Sequence, residues 1–142
     1  MNRYTFSEIS VGMKESFEKE ITVEMENAFR QISGDDNPLH RSDEFAAEVS
    51  GGKYKSHVSF GMLTASLYST IAGMYLPGEN SLIHSFEEIS FLKPVFAGDV
   101  LKVEGEVTDK LEGLNLIRLK VTIKNQDNKT VSRAKMKVLV MK

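Results

Sequence analysis

The sequence predicts an α+β fold in which an antiparallel sheet curls around one long apolar helix. Three observations lead to this prediction: helical patterns fill the first half of the chain, an uncharged helix follows them, and the remainder alternates apolar with polar residues. Strands with this alternation have one apolar face to cover, and the uncharged helix is able to cover it. The chain of 142 residues has no repeat or linker, so we expect a single domain over residues 1–142.

Two short helices are predicted before the long one. The first runs through VEMENAFRQIS, with Thr22 placed to cap its start and Gly34 to end it. Ser42 is placed to cap the second helix. The stretch ISGDDNPLH at 32–40 is therefore a loop between helices, because the proline after Asn37 disfavours helical backbone there.

The uncharged segment 57–78 is long enough to span a bilayer. It nevertheless contains five serine and threonine residues, and the amphipathic strands elsewhere in the chain need an apolar element against which to pack. We therefore predict a buried core helix over about 60–76, ended by Pro77 and Gly78.

Four strands are predicted in the C-terminal half. Apolar and charged residues alternate over 101–107, 117–124 and 133–140, as expected for strands with one solvent-facing side. A mixed pattern over 81–93 predicts a further strand that is buried on both sides. Helices followed by strands in succession favour the α+β arrangement over a parallel α/β one.

Composition limits the partners and the chemistry. The 18 basic and 20 acidic residues give a net charge of −2, which leaves no electrostatic footprint for nucleic acid or for an anionic membrane surface. Because the chain has no cysteine, disulfides, thiolate nucleophiles and cysteine-ligated metals are excluded. The opening MNRYTFSEISVG lacks the apolar run of a secretory signal, and we expect a cytoplasmic protein.

The loop between the two short helices concentrates polar side chains. Asp35 and His40 are five residues apart, and they converge if Asn37 and Pro38 turn the chain back. A carboxylate and an imidazole in that arrangement can hold a water molecule and take its proton. On spacing alone, an exposed turn with a surface histidine is the commoner meaning of such a loop.

Gly61 stands at the start of the uncharged helix. A glycine lets a ligand approach the backbone, and the first amide groups of a helix are free donors. Such an amide can stabilise the oxyanion of a polarised thioester or an enolate. The alternative is a glycine that only relieves close packing between the helix and the sheet.

The residues SGDDNPLH resemble the S-G-D-x-N-P-x-H signature of the MaoC-like, (R)-specific enoyl-CoA hydratases, the hydratase 2 group of the hot-dog fold. The stretches FGMLTASLYSTIAGMYLPG and ISFLKPVFAGDVL are similar to the central helix and the following strand of that family. The resemblance covers roughly residues 5–140, implies one MaoC-like hot-dog domain, and outweighs the exposed-turn interpretation of the loop.

The resemblance implies a role for particular residues. Asp35 and His40 correspond to the catalytic dyad, the amide of Gly61 to the donor that binds the thioester oxygen, and Ser69 to a serine that lines the site in some members. Asn37, inside the signature, is expected at the substrate with Gly61 and Ser69. The implied activity is that of a hydro-lyase, the (R)-specific hydration of trans-2-enoyl thioesters or the reverse dehydration.

The resemblance also implies a homodimer or a higher homo-oligomer, with the thioester of coenzyme A or of an acyl carrier protein at the subunit interface. It implies no metal and no bound cofactor. The sequence departs from the family at Phe60, where a histidine usually stands, and His57 lies three residues too early to replace it without a shift of the loop. The alternatives are a hot-dog acyl-CoA thioesterase and a non-catalytic acyl-thioester-binding protein, for which Phe60 is the only hint.

Overall fold

The computed structural model describes residues 1–142 as five strands, two short helices and a segmented central helix. The two short helices are α1 (Val23–Ser33) and α2 (Asp43–Val49). The central helix consists of three consecutive segments, Gly61–Ala65, Leu67–Thr70 and Ile71–Tyr75, the last with π-helical hydrogen bonding. The strands are β1 (Lys14–Glu20), β2 (Ser81–Phe91), β3 (Val100–Leu111), β4 (Leu116–Lys124) and β5 (Thr130–Val140).

The strands form one antiparallel sheet in the order β1-β3-β4-β5-β2. Alternate residues of β3, β4 and β5 are buried, and they form most of the core together with the central helix, whose Tyr68 and Ile71 are fully buried. Gly105 of β3 allows this close approach, because a Cβ there would lie 3.0 Å from Ile71 Cγ1. The predicted α+β arrangement of a sheet around a central helix is confirmed.

The helix ends form as the sequence predicts. Thr22 Oγ1 accepts a hydrogen bond from Met25 N–H at the start of α1, and Gly34 ends that helix in the left-handed conformation with φ of 73°. Ser42 Oγ accepts from Phe45 N–H at the start of α2. The caps fix where the chain leaves α1 and enters α2, and they thereby define the loop that carries Asp35.

The four strands predicted in the C-terminal half are present as β2 to β5, but the sheet has a fifth strand that the prediction missed. The missed strand is β1, which pairs with β3 from Lys14 opposite Glu106 to Glu20 opposite Val100. Its sequence KESFEKE contains one apolar residue, Phe17, whose ring stacks on Tyr75 at a centroid distance of 5.1 Å. Tertiary pairing with β3, rather than local pattern, determines this strand.

The prediction that the strand over 81–93 is buried on both sides was also wrong. This strand, β2, pairs only with β5 and is an edge of the sheet. Ile83 and Ile89 pack against the core, whereas its other three apolar side chains are exposed in a single chain: Leu82 at 57%, Phe86 at 39% and Phe91 at 51%. Apolar residues on an open edge produce the same mixed pattern as residues buried on both faces.

No helix of the protein combines the length and the apolar content needed to cross a bilayer. The uncharged segment instead contributes buried side chains to the core, among them Leu63, Leu67 and Ala72. The prediction of a core helix is therefore confirmed.

Candidate active site

The loop after α1 folds back on itself through short hydrogen bonds. Asn37 N–H donates to Asp35 Oδ1 at 3.1 Å, and Asn37 Oδ1 accepts from Leu39 N–H at 3.0 Å. A single turn of 3₁₀ helix, Pro38–His40, follows and has proline at its first position. The turn predicted at Asn37 and Pro38 is thus present, and it brings the two ends of the loop together.

Asp35 and His40 face each other at a distance that one water molecule can bridge from the side. His40 Nε2 lies 4.0 Å from Asp35 Oδ2, too far for a direct hydrogen bond. The Asp35 side chain is 47% exposed and that of His40 is 17% exposed. The convergence predicted from the sequence is confirmed, and the carboxylate and the imidazole are both accessible.

Two contacts fix the His40 ring. Its Nδ1 lies 2.8 Å from the carbonyl oxygen of Val58, which can only accept, so Nδ1 carries the hydrogen. One face of the ring packs against Phe60 at a centroid distance of 4.3 Å. Phe60 itself is 2% exposed and contacts Phe29. In neutral His40 the free lone pair is therefore on Nε2, the nitrogen that faces Asp35.

Two adjoining cavities meet at this loop, and His40, Gly61 and Phe91 line both of them. The larger has a volume of about 340 Å³ and mostly apolar walls: Leu39, Tyr54, Val58, Ser59, Thr64, Leu92, Lys93, Pro94, Val95 and Val131. The smaller, of about 260 Å³, is lined by Phe29, Ser33, Asp35, Phe60 and Met62. The dyad thus lies where an apolar cavity opens to solvent.

Gly61 presents its backbone to both cavities. Its N–H precedes the first turn of the central helix and donates to no protein acceptor. A Cβ at this position would lie 3.4 Å from the Phe91 ring of β2. The free amide suits the predicted oxyanion donor, while the short distance to Phe91 also fits the alternative of close packing against the sheet.

Asn37 and Ser69 do not line either cavity of the single chain. Asn37 is bonded within its own loop. Ser69 lies on the exposed side of the central helix, two turns beyond Gly61, where its N–H donates to Ser66. Their predicted contact with substrate stays a prediction.

His57 does not take the place of the family histidine. It is directed away from the two cavities and lies between Glu26 and Asp43, 2.8 Å from a carboxylate oxygen of each. Sequence reasoning missed this cluster, and it also missed the Val58 carbonyl and the Phe91 ring. The burial of Glu26 is visible only once α1 is packed.

The site combines an acceptor nitrogen, a carboxylate and a free amide around an apolar cavity. These groups can activate a water molecule and stabilise an oxyanion that forms nearby. The structure has no group of three or more histidine, aspartate or glutamate side chains arranged to hold a metal ion.

Comparison with known proteins relates both the sequence and the fold to one family. Residues 7–129 match the family model described as MaoC like domain. An (R)-specific enoyl-CoA hydratase of Aeromonas caviae is 39% identical over 100 residues, 70% of this chain and 72% of that protein. A 3-hydroxybutyryl-CoA dehydratase of Methylorubrum extorquens is 34% identical over 117 residues, 82% of this chain and 72% of that protein. The solved structure of an (R)-hydratase from Pseudomonas aeruginosa superimposes with a TM-score of 0.87 at 31% identity, covering 96% of this chain and 84% of the other.

Proposed function

The chain belongs to the MaoC-like dehydratase family, and we propose that it is a hydro-lyase that adds water to trans-2-enoyl thioesters of coenzyme A, or removes it in the reverse reaction. The product of hydration is the (R)-3-hydroxyacyl thioester. One observation carries the assignment of Asp35 and His40 as the catalytic pair: Nε2 and Oδ2 lie 4.0 Å apart beside a cavity that also exposes the Gly61 amide.

The 4.0 Å separation suits a water molecule held by both groups. A water oxygen at hydrogen-bonding distance, about 2.8 Å, from each of these two acceptors lies beside the line that joins them and sees them at an angle of about 90°. Both hydrogens of that water then point to His40 Nε2 and Asp35 Oδ2, and its lone pairs point away from them. The arrangement leaves the water oxygen free to attack carbon.

In the proposed mechanism the Gly61 N–H donates to the thioester oxygen and makes the β-carbon electrophilic. The water oxygen bonds to the β-carbon while one water proton passes to the dyad, and negative charge moves to the thioester oxygen as an enolate. The enolate then takes a proton at the α-carbon from the dyad. One water is added, both groups return to their starting state, and delivery from one face gives syn addition.

The apolar cavity supports an acyl chain as the substrate group. Leu39, Val58 and Val95 lie on its walls, and Lys93 is the one lysine among its lining residues. The two relatives are named for enoyl-CoA and 3-hydroxybutyryl-CoA, and we propose the same thioester class for this chain. We expect the reaction to need no cofactor beyond the substrate thioester.

A homodimer is the proposed assembly. The edge strand β2 exposes apolar side chains, and one of them, Phe91, also lines both cavities. Pairing of this edge with a second copy would cover it and would enclose the cavity mouth. Light scattering of a dilute solution tests this, since the mass of a single chain would contradict it.

Two further predictions concern organisation. A single MaoC-like domain over residues 1–142 is supported by one cluster of 23 buried apolar residues that runs from Ile9 to Val140. A cytoplasmic location stays a prediction.

The experiment that tests the function is incubation of the purified protein with crotonyl-CoA and with longer trans-2-enoyl-CoAs. We expect loss of the ultraviolet absorbance of the conjugated thioester without release of free thiol. Release of coenzyme A would instead identify a thioesterase, and tight binding without turnover would identify a binding protein. Either result would contradict the proposal.

A further inference from the structure

A cluster of three ionisable side chains lies behind the candidate site and takes no part in the proposed chemistry. His57 Nε2 lies 2.8 Å from Glu26 Oε1 of α1, and His57 Nδ1 lies 2.8 Å from Asp43 Oδ1 at the start of α2. The backbone N–H of His57 donates to the same Asp43 oxygen at 2.7 Å. The cluster therefore ties α1 and α2 to the segment that leads into the central helix.

The geometry favours an imidazolium at His57. A neutral imidazole has one N–H and can donate to one carboxylate, whereas both ring nitrogens here face carboxylate oxygens. Burial alone would lower the pKa of His57, but hydrogen bonds to Glu26 and Asp43, with the charges of those two groups, outweigh it and raise the pKa. No other carboxylate pairs with the ring, and Arg30, one turn beyond Glu26 on α1, pairs with Asp36.

Glu26 depends on this cation. Its side chain is 2% exposed, and its second oxygen, Oε2, is buried without a hydrogen-bond partner. A buried carboxylate that loses its only charge partner is strongly unfavourable. Loss of the His57 proton, or of the ring, therefore favours a rearrangement of the segment to which His57 belongs.

The segment that contains His57 also hydrogen-bonds to His40 of the proposed catalytic pair. Val58 follows His57 directly, its carbonyl accepts the His40 Nδ1 hydrogen at 2.8 Å, and its N–H donates to Leu39 O at 3.0 Å. The next residue, Ser59, donates its N–H to Val95 O at 2.7 Å. The position of the Val58 carbonyl thus depends on the His57 cluster on one side and on the loop between β2 and β3 on the other.

We propose that His57 is a positioning residue for the hydration reaction: clamped between Glu26 and Asp43, it fixes the Val58 carbonyl, which keeps the His40 hydrogen on Nδ1 and leaves Nε2 free to face Asp35. The inference rests on the proposed role of His40. His57 itself touches neither cavity. The competing explanation is that the cluster only stabilises the fold. In that case the tautomer of His40 does not depend on His57.

The test compares the parent with His57→Gln by nitrogen NMR of the histidine rings and by crotonyl-CoA hydration. The chain has three histidines, so His57→Gln and the exposed His84→Gln variant assign all ring signals. In the parent we expect neutral His40 as one tautomer, with hydrogen on Nδ1. In His57→Gln we expect a mixture of tautomers and a kcat lowered about tenfold with KM changed less than about twofold, because a small misplacement of a catalytic group acts on the transition state.

The pH profile gives a readout that a purely structural role would not change. In the parent, we expect kcat to fall as the pH rises through the pKa of His57, until kcat reaches the value measured for His57→Gln. In His57→Gln we expect no such fall. Asp43→Asn is the milder second variant, because the Asp43 side chain is 55% exposed and its amide oxygen can still accept. Removal of that negative charge lowers the His57 pKa, so the fall moves to lower pH.

The inference is overturned if folded His57→Gln keeps the single His40 tautomer, whether or not kcat changes. It is also overturned if Asp43→Asn leaves the pH of the kcat fall unchanged. An absence of hydration in the parent would contradict the proposed function instead, and the tautomer comparison would still decide the positioning of His40 because it needs no substrate.

Discussion

His40 and His57 both face carboxylates, but they differ in how completely their ring nitrogens are bonded. His57 donates from both nitrogens to carboxylate oxygens 2.8 Å away, within a cluster whose Glu26 is buried. His40 bonds through Nδ1 to a backbone carbonyl and leaves Nε2 4.0 Å from a half-exposed Asp35. Both ring nitrogens of the histidine that joins the helices are bonded, whereas the histidine at the cavity has one unbonded nitrogen facing a carboxylate, as the proposed water-activating role requires.

The difference is reinforced by the surroundings of each ring. His57 is held by charged groups of α1 and α2, so its proton stabilises the fold. His40 packs against the Phe60 ring, an uncharged neighbour that fixes its plane without competing for Nε2. Phe60, the departure from the family pattern, thus keeps the ring of the dyad in place while it makes this end of the cavity less polar.

The largest expected effect comes from removing the free nitrogen. We expect His40→Gln to lower kcat for crotonyl-CoA hydration about a thousandfold, because general acid–base groups contribute about 10² to 10⁴. His84→Gln is the matched control, since His84 is exposed on β2 and bonds only to Ser85, and light scattering of this variant must give the same mass as the parent. Initial rates of the folded variants measure both. Equal losses of kcat in His40→Gln and His84→Gln would contradict a catalytic role for His40.

A smaller effect is expected at His57, in the pH dependence of the free energy of unfolding. The pKa of His57 is raised in the folded chain, so its contribution is fully present below its unfolded value of about 6.5 and is lost as pH rises through the folded value. We expect the free energy of unfolding in urea to fall by about 2 kcal/mol, the scale of one hydrogen bond to a charged group. The free energy of unfolding of His57→Gln should not show this fall with pH. If it does, other titrating groups cause the fall.

The smallest effect is expected at Gly61, beside His40. Gly61→Ala adds a methyl group 3.4 Å from the Phe91 ring, an ordinary contact, at the point where a thioester oxygen would meet the amide. We expect kcat/KM to fall about tenfold, equivalent to about 1.4 kcal/mol of transition-state stabilisation. Gly73→Ala in the same helix is the control, because its methyl group would meet only Ser81 Oγ at 3.9 Å. Equal kcat/KM in the two variants would favour a packing role for Gly61.

The elements that depend on local signals could be predicted from the sequence. Caps at Thr22 and Ser42 and the alternation of β3, β4 and β5 are properties of neighbouring residues, and the structure has them where predicted. Strand β1 could not be predicted, because KESFEKE has one apolar residue and its pairing with β3 is decided far along the chain. The prediction that β2 is buried on both sides was wrong because an exposed apolar edge strand and a buried strand have the same sequence pattern.

The candidate site divides in the same way. Asp35 and His40 stand in one short loop, so their convergence followed from a turn at Asn37 and Pro38. The group that orients His40 is a backbone carbonyl, and every residue has one, so no sequence pattern distinguishes Val58. The buried partner of His57 is Glu26, 31 residues away, and only the packing of α1 reveals it.

A comparison of Asp35→Asn with Asp36→Asn in crotonyl-CoA hydration tests most directly whether this loop activates water. The two aspartates are adjacent, but Asp35 faces His40 Nε2, whereas Asp36 is 67% exposed and pairs with Arg41 at 2.9 Å and with Arg30 at 3.6 Å. We predict that Asp35→Asn lowers kcat at least about a hundredfold and that Asp36→Asn keeps it within about threefold. A folded Asp35→Asn protein that hydrates crotonyl-CoA as fast as the parent would contradict the water-activating role of this loop.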